Sequence, residues 1–470
     1  MGFFLGYPLI MHAPFDIAAD LDTPVSAYLK LGSLKPRFLL ESVEGGERLA
    51  RYSFLGFGDA VEVRMDAESL CIDGRKEARP TNQAQYLQAL RRAIEIAPRP
   101  QPEDGLPFAG GLVGVSGYDV VRLFENLPLD TEKQTSVPDA AFIAPTSLLV
   151  FDHLTRRVAL LHDGPEDVRQ QLRSEVIQLL RGAVPPQPKN VSVSVAEASM
   201  TEAGFSERVA ACKEYIASGD IYQIVLSVLF RGRTDVPPFE VYRALRLLNP
   251  SPYMFYFDFG DLQVVGSSPE ALVKLHGSKA TLRPIAGTLP RGATGEEDLA
   301  NEAALLADPK EAAEHVMLVD LARNDLGRVA KAGTVKVDPY RAIERYSHVM
   351  HIVSGVEGEL AADFDQFDLF AASFPAGTLV GAPKVRAMQI IEEMEQVGRG
   401  LYAGTAGYFG LSGDMDQAIT IRTLVFAGGE YSFQAGAGIV ADSVPAKEYQ
   451  EVLAKSAILR RALEIAEAGL

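Results

Sequence analysis

The 470-residue sequence has no tryptophan, only two cysteines, and fewer basic than acidic residues. Cys71 and Cys212 lie far apart and neither belongs to a CxxC pair, so neither a disulfide framework nor a zinc site is indicated. We therefore expect a reducing, cytoplasmic location. The formal net charge of −17 argues against nucleic acid or an anionic membrane as a main partner. An anionic substrate must then be held by a few local cations or by a metal.

Long apolar runs are also missing. The stretch 2–10 is apolar, but it is shorter than the roughly 18–20 residues of a membrane-spanning helix, and no Lys or Arg precedes Lys30. We interpret it as an early strand or a loose terminus, and we expect no membrane partner. The hydrophobic fraction of 47% still provides for a large core. Because 23 Phe and 16 Tyr are present, tryptophan is the only large aromatic residue that the chain avoids.

The pattern of apolar and polar residues divides the chain into two unequal regions. Residues 1–182 mix short strand patterns with helices, and residues 183–198 are rich in proline and polar residues, which is typical of a linker. Residues 199–470 contain many strand patterns with helices between them, and no internal repeat is evident. Strands outnumber simple βαβ alternations, which predicts an α+β fold with largely antiparallel sheet.

One predicted helix carries a carboxylate on its apolar face. Asp308 at the N-cap and Pro309 at the first position predict a helix that runs to about Asn324. Glu314 shares a face with Leu318 and Leu321, and a half-buried carboxylate there needs a partner. Considered alone, a structural ion pair explains Glu314 better than a metal site.

The last predicted helix starts after Ser443, its candidate N-cap, and carries Glu448, Glu451 and Lys455 on one stripe. A solvated face with a Glu–Lys pair is the simpler explanation of that stripe alone. If the two helices face each other, however, Glu314 and Glu451 could bind Mg²⁺, which prefers one or two carboxylates together with water and substrate oxygens.

Three further features bear on anion binding. Gly436 and Gly438 could direct backbone N–H groups at an anion, although such a glycine pair is more often a plain turn. Arg422, within a predicted apolar strand 418–424, requires a structural or ligand anion. His351 lies among apolar neighbours, where a core histidine is the more common outcome.

Together these segments resemble the chorismate-utilising enzymes, most closely component I of anthranilate synthases. The resemblance covers about residues 200–465, and its segments are 266–270, 283–288, 314–325, 381–384, Tyr402, 421–423 and 436–443. Residues 1–182 match more loosely. The resemblance implies a core of two packed antiparallel sheets wrapped by helices, with the active site in a deep cleft.

The resemblance also assigns roles to individual residues. Glu314 and Glu451 would bind Mg²⁺ with support from Glu448. Glu270 would be the general acid that helps the ring hydroxyl leave as ammonia adds to the ring, which requires a raised pKa. His351 and Thr288 complete the implied catalytic residues. The implied substrate contacts are Gly287, Thr288, Tyr402, Arg422, Gly436, Ala437, Gly438 and Lys455.

Two positions distinguish the sister reactions of this family. Relatives that add water carry a lysine where this chain has Gln223, and an amide cannot activate water in that way. Many aminodeoxychorismate synthases carry a lysine at the position of Ala286, which favours conversion of chorismate and ammonia to anthranilate and pyruvate, the first committed step of tryptophan biosynthesis. Aminodeoxychorismate synthase component I stays open as an alternative. So does a non-catalytic regulator that binds chorismate or tryptophan, although the presence of Glu270 argues against it.

The resemblance extends to regulation and partners. Glu41 and Ser42, with Pro252, Tyr253 and Met254, resemble the L-tryptophan feedback site, although a proline-shaped turn that enters a strand describes 252–254 equally well. Neither cysteine lies in a nucleophile turn, so we expect a separate glutamine amidotransferase subunit, in a hetero-oligomer, to supply ammonia. Absence of tryptophan suits an enzyme that is translated when tryptophan is scarce. The chain departs from the family at Val380 and after Ser227.

Overall fold

A computed structural model describes residues 15–43, 51–101, 106–128, 131, 137–187, 189–345 and 349–470. The apolar stretch 2–10, predicted as a strand or loose terminus, lies outside the described residues. Within the described part of the chain, no helix has both the length and the apolar composition needed to cross a membrane.

Strands and helices alternate irregularly along the described chain. The strands are β1 Ile17–Ala18, β2 Pro36–Glu41, β3 Tyr52–Met65, β4 Ser69–Ile72, β5 Arg75–Ala78, β6 Gly111–Ser116, β7 Ala140–Asp152, β8 Arg157–His162, β9 Glu197–Ala198, β10 Gln223–Arg233, β11 Tyr253–Asp258, β12 Leu262–Ser268, β13 Ala271–His276, β14 Lys279–Leu282, β15 Ile285–Pro290, β16 Lys336–Val337, β17 Ala342–Arg345, β18 Val349–Val353, β19 Val356–Glu359, β20 Gly381–Ala382, β21 Thr405–Gly410, β22 Met415–Ile419, β23 Thr423–Ala427 and β24 Glu430–Ile439. The α-helices are α1 Pro24–Lys30, α2 Gln83–Glu95, α3 Glu166–Leu180, α4 Glu202–Ala217, α5 Pro238–Leu248, α6 Gly295–Ala307, α7 Pro309–Gly327, α8 Gln366–Ser373, α9 Lys384–Met394 and α10 Pro445–Ala468.

Two runs of antiparallel strands form the centre of the molecule. The first run has the order β2-β11-β12-β23-β24-β10, and the second has the order β7-β6-β21-β22-β13-β14-β19. The long strand β3 pairs with β2 on one side and β7 on the other, and so joins the two runs. This arrangement confirms the predicted α+β class with antiparallel sheet.

The two runs pack face to face. Phe38, Phe257 and Val264 of the first run belong to the same buried cluster as Val113 and Ile143 of the second. The helices cover the outer faces, where α4 and α10 pack on β10 and β24. Alternation of side chains along each strand lets one face meet the other sheet while the opposite face meets a helix. The apolar surface is therefore buried on both sides of the sheets.

The strands before and after the predicted linker belong to the same sheets. Strand β2 pairs with β11, and β6 pairs with β21, across the division at 183–198. The linker itself ends in β9, which pairs with β10, and Val193 forms a bridge with Thr234. The division into 1–182, 183–198 and 199–470 remains a prediction from composition.

The helix prediction at Asp308 is confirmed and the cap prediction at Ser443 is wrong. Asp308 accepts hydrogen bonds from the backbone N–H groups of residues 310 and 311, and α7 continues to Gly327, slightly beyond Asn324. Helix α10 has Val444 as its N-cap. The Ser443 hydroxyl instead accepts the N–H of Val440 at 3.1 Å, because it closes the turn that follows β24.

The strand prediction around Arg422 is also wrong. The apolar segment 418–424 is two strands, β22 and β23, and Arg422 lies between them with a positive φ of 49°. Strand β22 belongs to the second run of strands and β23 to the first, so the chain crosses between sheets at this point. Both strands are apolar because both are buried, and this uniform composition conceals the crossing.

Candidate active site

Most of the predicted catalytic, substrate and metal residues lie around one cavity of about 500 Å³, which we call the site cavity. The predicted residues in its wall are Glu270, Gly287, Thr288, Glu314, Tyr402, Arg422, Gly436, Gly438, Glu448, Glu451 and Lys455. They come from α7, α10, β15, β24, the turn before β21 and two crossings between the sheets. Positions that are more than a hundred residues apart in the sequence therefore meet in one place.

Glu270 and Arg422 each lie where the chain crosses between the two runs of strands. Glu270 connects β12 to β13, and Arg422 connects β22 to β23. The crossings are joined by backbone hydrogen bonds, from Ile419 N–H to the carbonyl of Glu270 at 3.0 Å and from Ser267 N–H to the carbonyl of Arg422 at 3.2 Å. Since both crossings are fixed to each other, the carboxyl and the guanidinium enter the cavity from a rigid part of the fold.

The environment of Glu270 keeps its carboxyl partly protonated near neutral pH. Burial raises the pKa of Glu270 to about 7, while a hydrogen bond from Thr378 and the charges of Lys455 and Arg422 oppose this rise. The Thr378 hydroxyl lies 2.9 Å from Oε1 of Glu270. The raised pKa matches the property that a general acid requires.

Helices α7 and α10 contribute carboxylates to the cavity, and we call these the acidic wall: Glu311, Glu314, Glu448 and Glu451. Gln223 donates to Oε1 of Glu314 at 3.4 Å, and Lys455 pairs with Glu451 at 2.7 Å. Burial and the charge of Glu314 raise the pKa of Glu311, a further carboxyl in the wall. Within the described ranges, no group of three or more potential ligands forms a ready metal site. The wall offers carboxylates singly or in pairs.

Glycine is required at two wall positions. Gly287 has a φ of +68°, and a Cβ there would lie 2.9 Å from Oε2 of Glu311. Gly436 lies within β24, so the glycine pair is part of a strand and not a turn. A Cβ at Gly436 would lie 2.7 Å from the hydroxyl of Tyr402. Both glycines leave room for a polar side chain to reach the cavity.

His351 contacts the cavity wall through β15. Its Nδ1 lies 3.1 Å from the carbonyl of Gly287 and 3.0 Å from Oγ1 of Thr288. Burial lowers the pKa of His351, so the neutral ring prevails at pH 7. A carbonyl can only accept, which assigns the proton to Nδ1 and leaves Nε2 basic. The ring is thus oriented by strand β15, which contributes Gly287 and Thr288 to the wall.

Ala437 differs from the other predicted substrate residues. Its side chain is fully buried, and the cavity wall is formed by its neighbours Gly436 and Gly438. Side chains alternate along β24, so that of Ala437 points away from its neighbours' face. A contact between Ala437 and a ligand would therefore have to use its backbone.

The five residues predicted for feedback inhibition line a second cavity, of about 480 Å³. Glu41 of β2 pairs directly with Met254 of β11, and Ser42, Pro252 and Tyr253 lie beside them. The buried carboxylate of Glu41 accepts two hydrogen bonds from Arg246, at 2.9 and 3.1 Å, and one from Tyr242. The position of Glu41 is therefore fixed.

The two cavities approach each other at residues 269–271. Pro269 and Ala271 line the second cavity, whereas Glu270 between them lines the site cavity. A ligand against Pro269 or Ala271 would thus contact the residues that hold the carboxyl of Glu270. This proximity gives a physical route for communication between the cavities.

Several wall residues were not anticipated from the sequence. Glu311 lies one turn before Glu314 on the same helix, and this spacing could have indicated it. Thr378 and Gln434 gave no comparable signal, because each reaches the wall by packing between distant segments. Val380 is fully buried, and its carbonyl accepts the N–H of Val225 at 2.8 Å, so the backbone at this departure from the family pattern is hydrogen-bonded.

Comparison with known proteins agrees with this geometry. The family model described as "chorismate binding enzyme" matches residues 35–461, and the chain belongs to that family. The chain is 46% identical to "Anthranilate synthase component 1" of Thermus thermophilus, covering 96% of this chain and 97% of the relative. It is 44% identical to the protein of the same description from Aquifex aeolicus, covering 96% and 94%. The crystal structure of anthranilate synthase component I from Streptococcus pneumoniae superimposes with a TM-score of 0.79 at 36% identity, covering 87% of this chain and 92% of that one.

Proposed function

We propose that the chain converts chorismate and ammonia to anthranilate and pyruvate, with release of water, as the synthase component of tryptophan biosynthesis. The observation that carries this proposal is the carboxyl of Glu270, with a pKa raised to about 7, in a cavity that also presents Arg422, Tyr402 and Lys455. An acid beside groups that bind anions suits a dianionic substrate whose hydroxyl must leave. The names of the similar proteins support the same reaction.

Each wall group has a distinct part in the proposed reaction. Arg422, which donates to Oδ1 of Asn249 at 3.4 Å, lines the cavity and would hold the enolpyruvyl carboxylate. Burial raises the pKa of Tyr402, which keeps its hydroxyl protonated as a donor to the same group. Glu270 protonates the leaving hydroxyl. Ammonia adds to the ring, and proton removal with loss of pyruvate then makes the ring aromatic. His351, whose neutral ring contacts Gly287 and Thr288, would accept that proton.

The carboxylates of the acidic wall fit Mg²⁺. Glu314 and Glu451 would hold it and Glu448 would support them, since Mg²⁺ commonly takes one or two protein carboxylates and completes its shell with water and substrate oxygens. When bound, the ion supplies positive charge for the ring carboxylate. Glu451 already pairs with Lys455, so this lysine would be free to turn toward the substrate once the carboxylate has another cation.

Ammonia is proposed to come from a separate glutamine amidotransferase component. Burial raises the pKa of Cys212 to about 12, so its thiol is inert at neutral pH. Cys71 lies in the strand β4, away from any nucleophile turn. A hetero-oligomer with the amidotransferase follows from this proposal, and glutamine should be used only when that component is present.

The second cavity is proposed as the feedback site for L-tryptophan. Its wall combines the carboxylate of Glu41 with the cations Arg51 and Lys274 and the aromatic rings of Tyr52 and Tyr408. An amino acid with a large aromatic side chain presents complementary charges and a flat apolar surface. Binding there would act on Glu270 through Pro269 and Ala271.

The deciding experiment identifies the product formed from chorismate, ammonium and Mg²⁺. Anthranilate together with an equal amount of pyruvate is expected. Aminodeoxychorismate as the sole product would replace the proposal with the alternative reaction of this family. Binding of chorismate with no product, when ammonium and Mg²⁺ are present in excess, would indicate a regulator.

A further inference from the structure

A buried ion pair lies directly behind the site cavity. Arg399 is 2% exposed and Glu395 is 5% exposed. The Nε and Nη2 atoms of Arg399 donate to the two carboxylate oxygens of Glu395 at 2.9 and 2.8 Å. This forked geometry fixes both the position and the plane of the guanidinium. Neither residue belongs to the described wall of the cavity, so any effect on the reaction must pass through their neighbours.

The guanidinium of Arg399 holds two segments that do reach the cavity. Its Nη1 donates to the carbonyl of Leu379 at 2.7 Å, and its Nη2 donates to the carbonyl of Val225 at 2.8 Å. Leu379 and Val225 both line the cavity. Leu379 directly follows Thr378, whose hydroxyl donates to Glu270. Arg399 thereby ties the turn that contacts the acid to strand β10.

The same guanidinium lies against the tyrosine of the site. It is 5.6 Å from the ring centre of Tyr402 and 4.9 Å from that of Tyr118. A guanidinium over an aromatic face is attracted by the electrons of the ring and restricts its orientation. The Tyr402 hydroxyl, proposed to contact a substrate carboxylate, is therefore directed by Arg399.

Glu395 determines the orientation of a wall amide. Its Oε1 accepts from the backbone N–H of Ser227 at 2.9 Å and from the hydroxyl of Ser227 at 2.7 Å. Because the one hydroxyl proton goes to the carboxylate, Ser227 must accept from Nε2 of Gln434, which lies 2.8 Å away. The buried Oε1 of Gln434 has no hydrogen-bond partner among the described residues. The side chain of Gln434, a residue of the cavity wall, is thereby held in one orientation.

We infer that the Glu395–Arg399 pair is a positioning element of the active site, which sets the turn at Thr378, the ring of Tyr402 and the amide of Gln434 for chorismate and ammonia. This inference rests on the proposed function. Its hydrogen bonds run to Leu379, Val225 and Ser227, and two of these lie in the wall. If the pair had only a structural role, weakening it would lower the stability of the protein but leave kcat/KM of the folded protein unchanged.

The test is the variant Arg399→Lys, assayed with chorismate, ammonium and Mg²⁺. Lysine keeps the positive charge, but three protons on one nitrogen cannot reproduce the four hydrogen bonds of the planar guanidinium. We expect kcat/KM to fall at least tenfold in a protein that remains folded. We also expect the alkaline limb of kcat/KM to move to higher pH. A looser turn weakens the Thr378 bond that stabilises the ionised carboxyl of Glu270.

The other charged and titratable groups around Glu270 keep their protonation states in this variant. They are Arg422 and Lys455, whose charges lower its pKa, and Tyr402, which keeps its proton. The conservative variant Glu395→Gln keeps shape but loses one charge-assisted acceptor, and it should shift the limb in the same direction. A fall in kcat/KM without any shift in either variant would contradict the inference.

The matched control is Arg122→Lys. Arg122 pairs with Glu392, one turn before Glu395 along the chain, and with Asp119, away from the described cavity wall. We expect it to lower the melting temperature to a similar extent while kcat/KM and its pH profile stay as in the wild type. If the two variants change kcat/KM in equal measure, or if Arg399→Lys changes nothing, the positioning role is wrong.

A readout independent of turnover separates this inference from the proposed function. The titration of Glu270 can be followed by infrared difference spectroscopy against Glu270→Gln, in the wild type and in Arg399→Lys. An upward shift in Arg399→Lys supports positioning even if the wild type makes no anthranilate, a result that would remove the proposed function alone. Identical titrations would overturn the positioning role.

Discussion

Thr378 donates its hydroxyl hydrogen bond to Oε1 of Glu270 across 108 positions of sequence, at a distance of 2.9 Å. The bond stabilises the ionised carboxyl, whereas burial stabilises the protonated one, and burial is the stronger effect. The balance leaves Glu270 with a pKa of about 7. A substantial fraction of Glu270 is therefore protonated at neutral pH, and this fraction falls as the pH rises above 7.

Replacement of the threonine should move the alkaline limb of the reaction. In Thr378→Val the ionised form of Glu270 loses a donor, so the pKa rises and the acid stays protonated to higher pH. The measurement is kcat/KM against pH at constant free ammonia, since kcat/KM reports groups of the free enzyme. Thr334→Val, in a turn away from the cavity, is the control. A limb that stays in place or moves to lower pH would contradict this balance.

Loss of the acid itself should separate binding from chemistry. Glu270→Gln keeps the size of the side chain but has no proton to give, so kcat should fall by about 100-fold or more, the lower end of what a general acid contributes. Binding of chorismate, measured by calorimetry, should change little because Arg422 and Tyr402 are intact. A variant with near-normal kcat would exclude Glu270 as the acid.

The metal proposal can be tested at α7. Glu314→Gln removes one negative charge that would hold Mg²⁺, and we expect the Mg²⁺ concentration for half-maximal rate to rise about tenfold or more. Asp320→Asn, on the same helix and paired with Arg323 at the surface, is the matched control and should respond to Mg²⁺ like the wild type. An unchanged Mg²⁺ dependence in Glu314→Gln would show that the ion is held elsewhere.

The backbone of Gly287 predicts a specific loss of stability. Alanine at its φ of +68° should cost about 1–2 kcal/mol of unfolding free energy, because the left-handed conformation crowds a Cβ. Gly295→Ala, at a position with open space and an ordinary φ, should cost nothing. Urea unfolding of both variants measures the difference. The chorismate KM of Gly287→Ala should rise as well, since Thr288 is the next residue of β15.

Tryptophan binding has an unusually simple readout in this chain. The protein has no tryptophan, so any indole emission comes from added ligand. Titration should change the emission spectrum and anisotropy of the ligand. In Ser42→Leu the larger side chain fills part of the second cavity and should weaken binding at least about tenfold, or about 1.4 kcal/mol, while turnover without tryptophan is kept. Unchanged emission with the wild type would remove the feedback proposal.

Local signals along the sequence predicted the helix that carries Glu314 but failed for Arg422. An N-cap and a proline act within one turn of the chain, so Asp308 and Pro309 predicted the start of α7 directly. The crossing at Arg422 leaves no such trace, because two buried strands in different sheets are equally apolar. The N-cap prediction at Ser443 failed because the Ser443 hydroxyl accepts the N–H of Val440, which precedes it, and not an N–H of the helix.

The candidate site was predictable where a family pattern spans several adjacent residues, and not where contacts join distant segments. Glu270, Gly287 and Lys455 belong to such patterns, and the fold brings them to one cavity. The ion pair of Glu395 and Arg399 reaches that cavity through the ring of Tyr402 and through hydrogen bonds to segments far away in sequence. Such a network leaves no local pattern in the sequence.

The arrangement of Pro269, Glu270 and Ala271 also bears on how this chain can evolve or be engineered. Substitutions at Pro269 or Ala271 alter the wall of the second cavity and the support of the acid at the same time. A change selected there for relief from inhibition would carry a penalty in turnover. Variants that escape inhibition yet stay fully active should therefore accumulate at Ser42 or Pro252, which border only the second cavity among the two described.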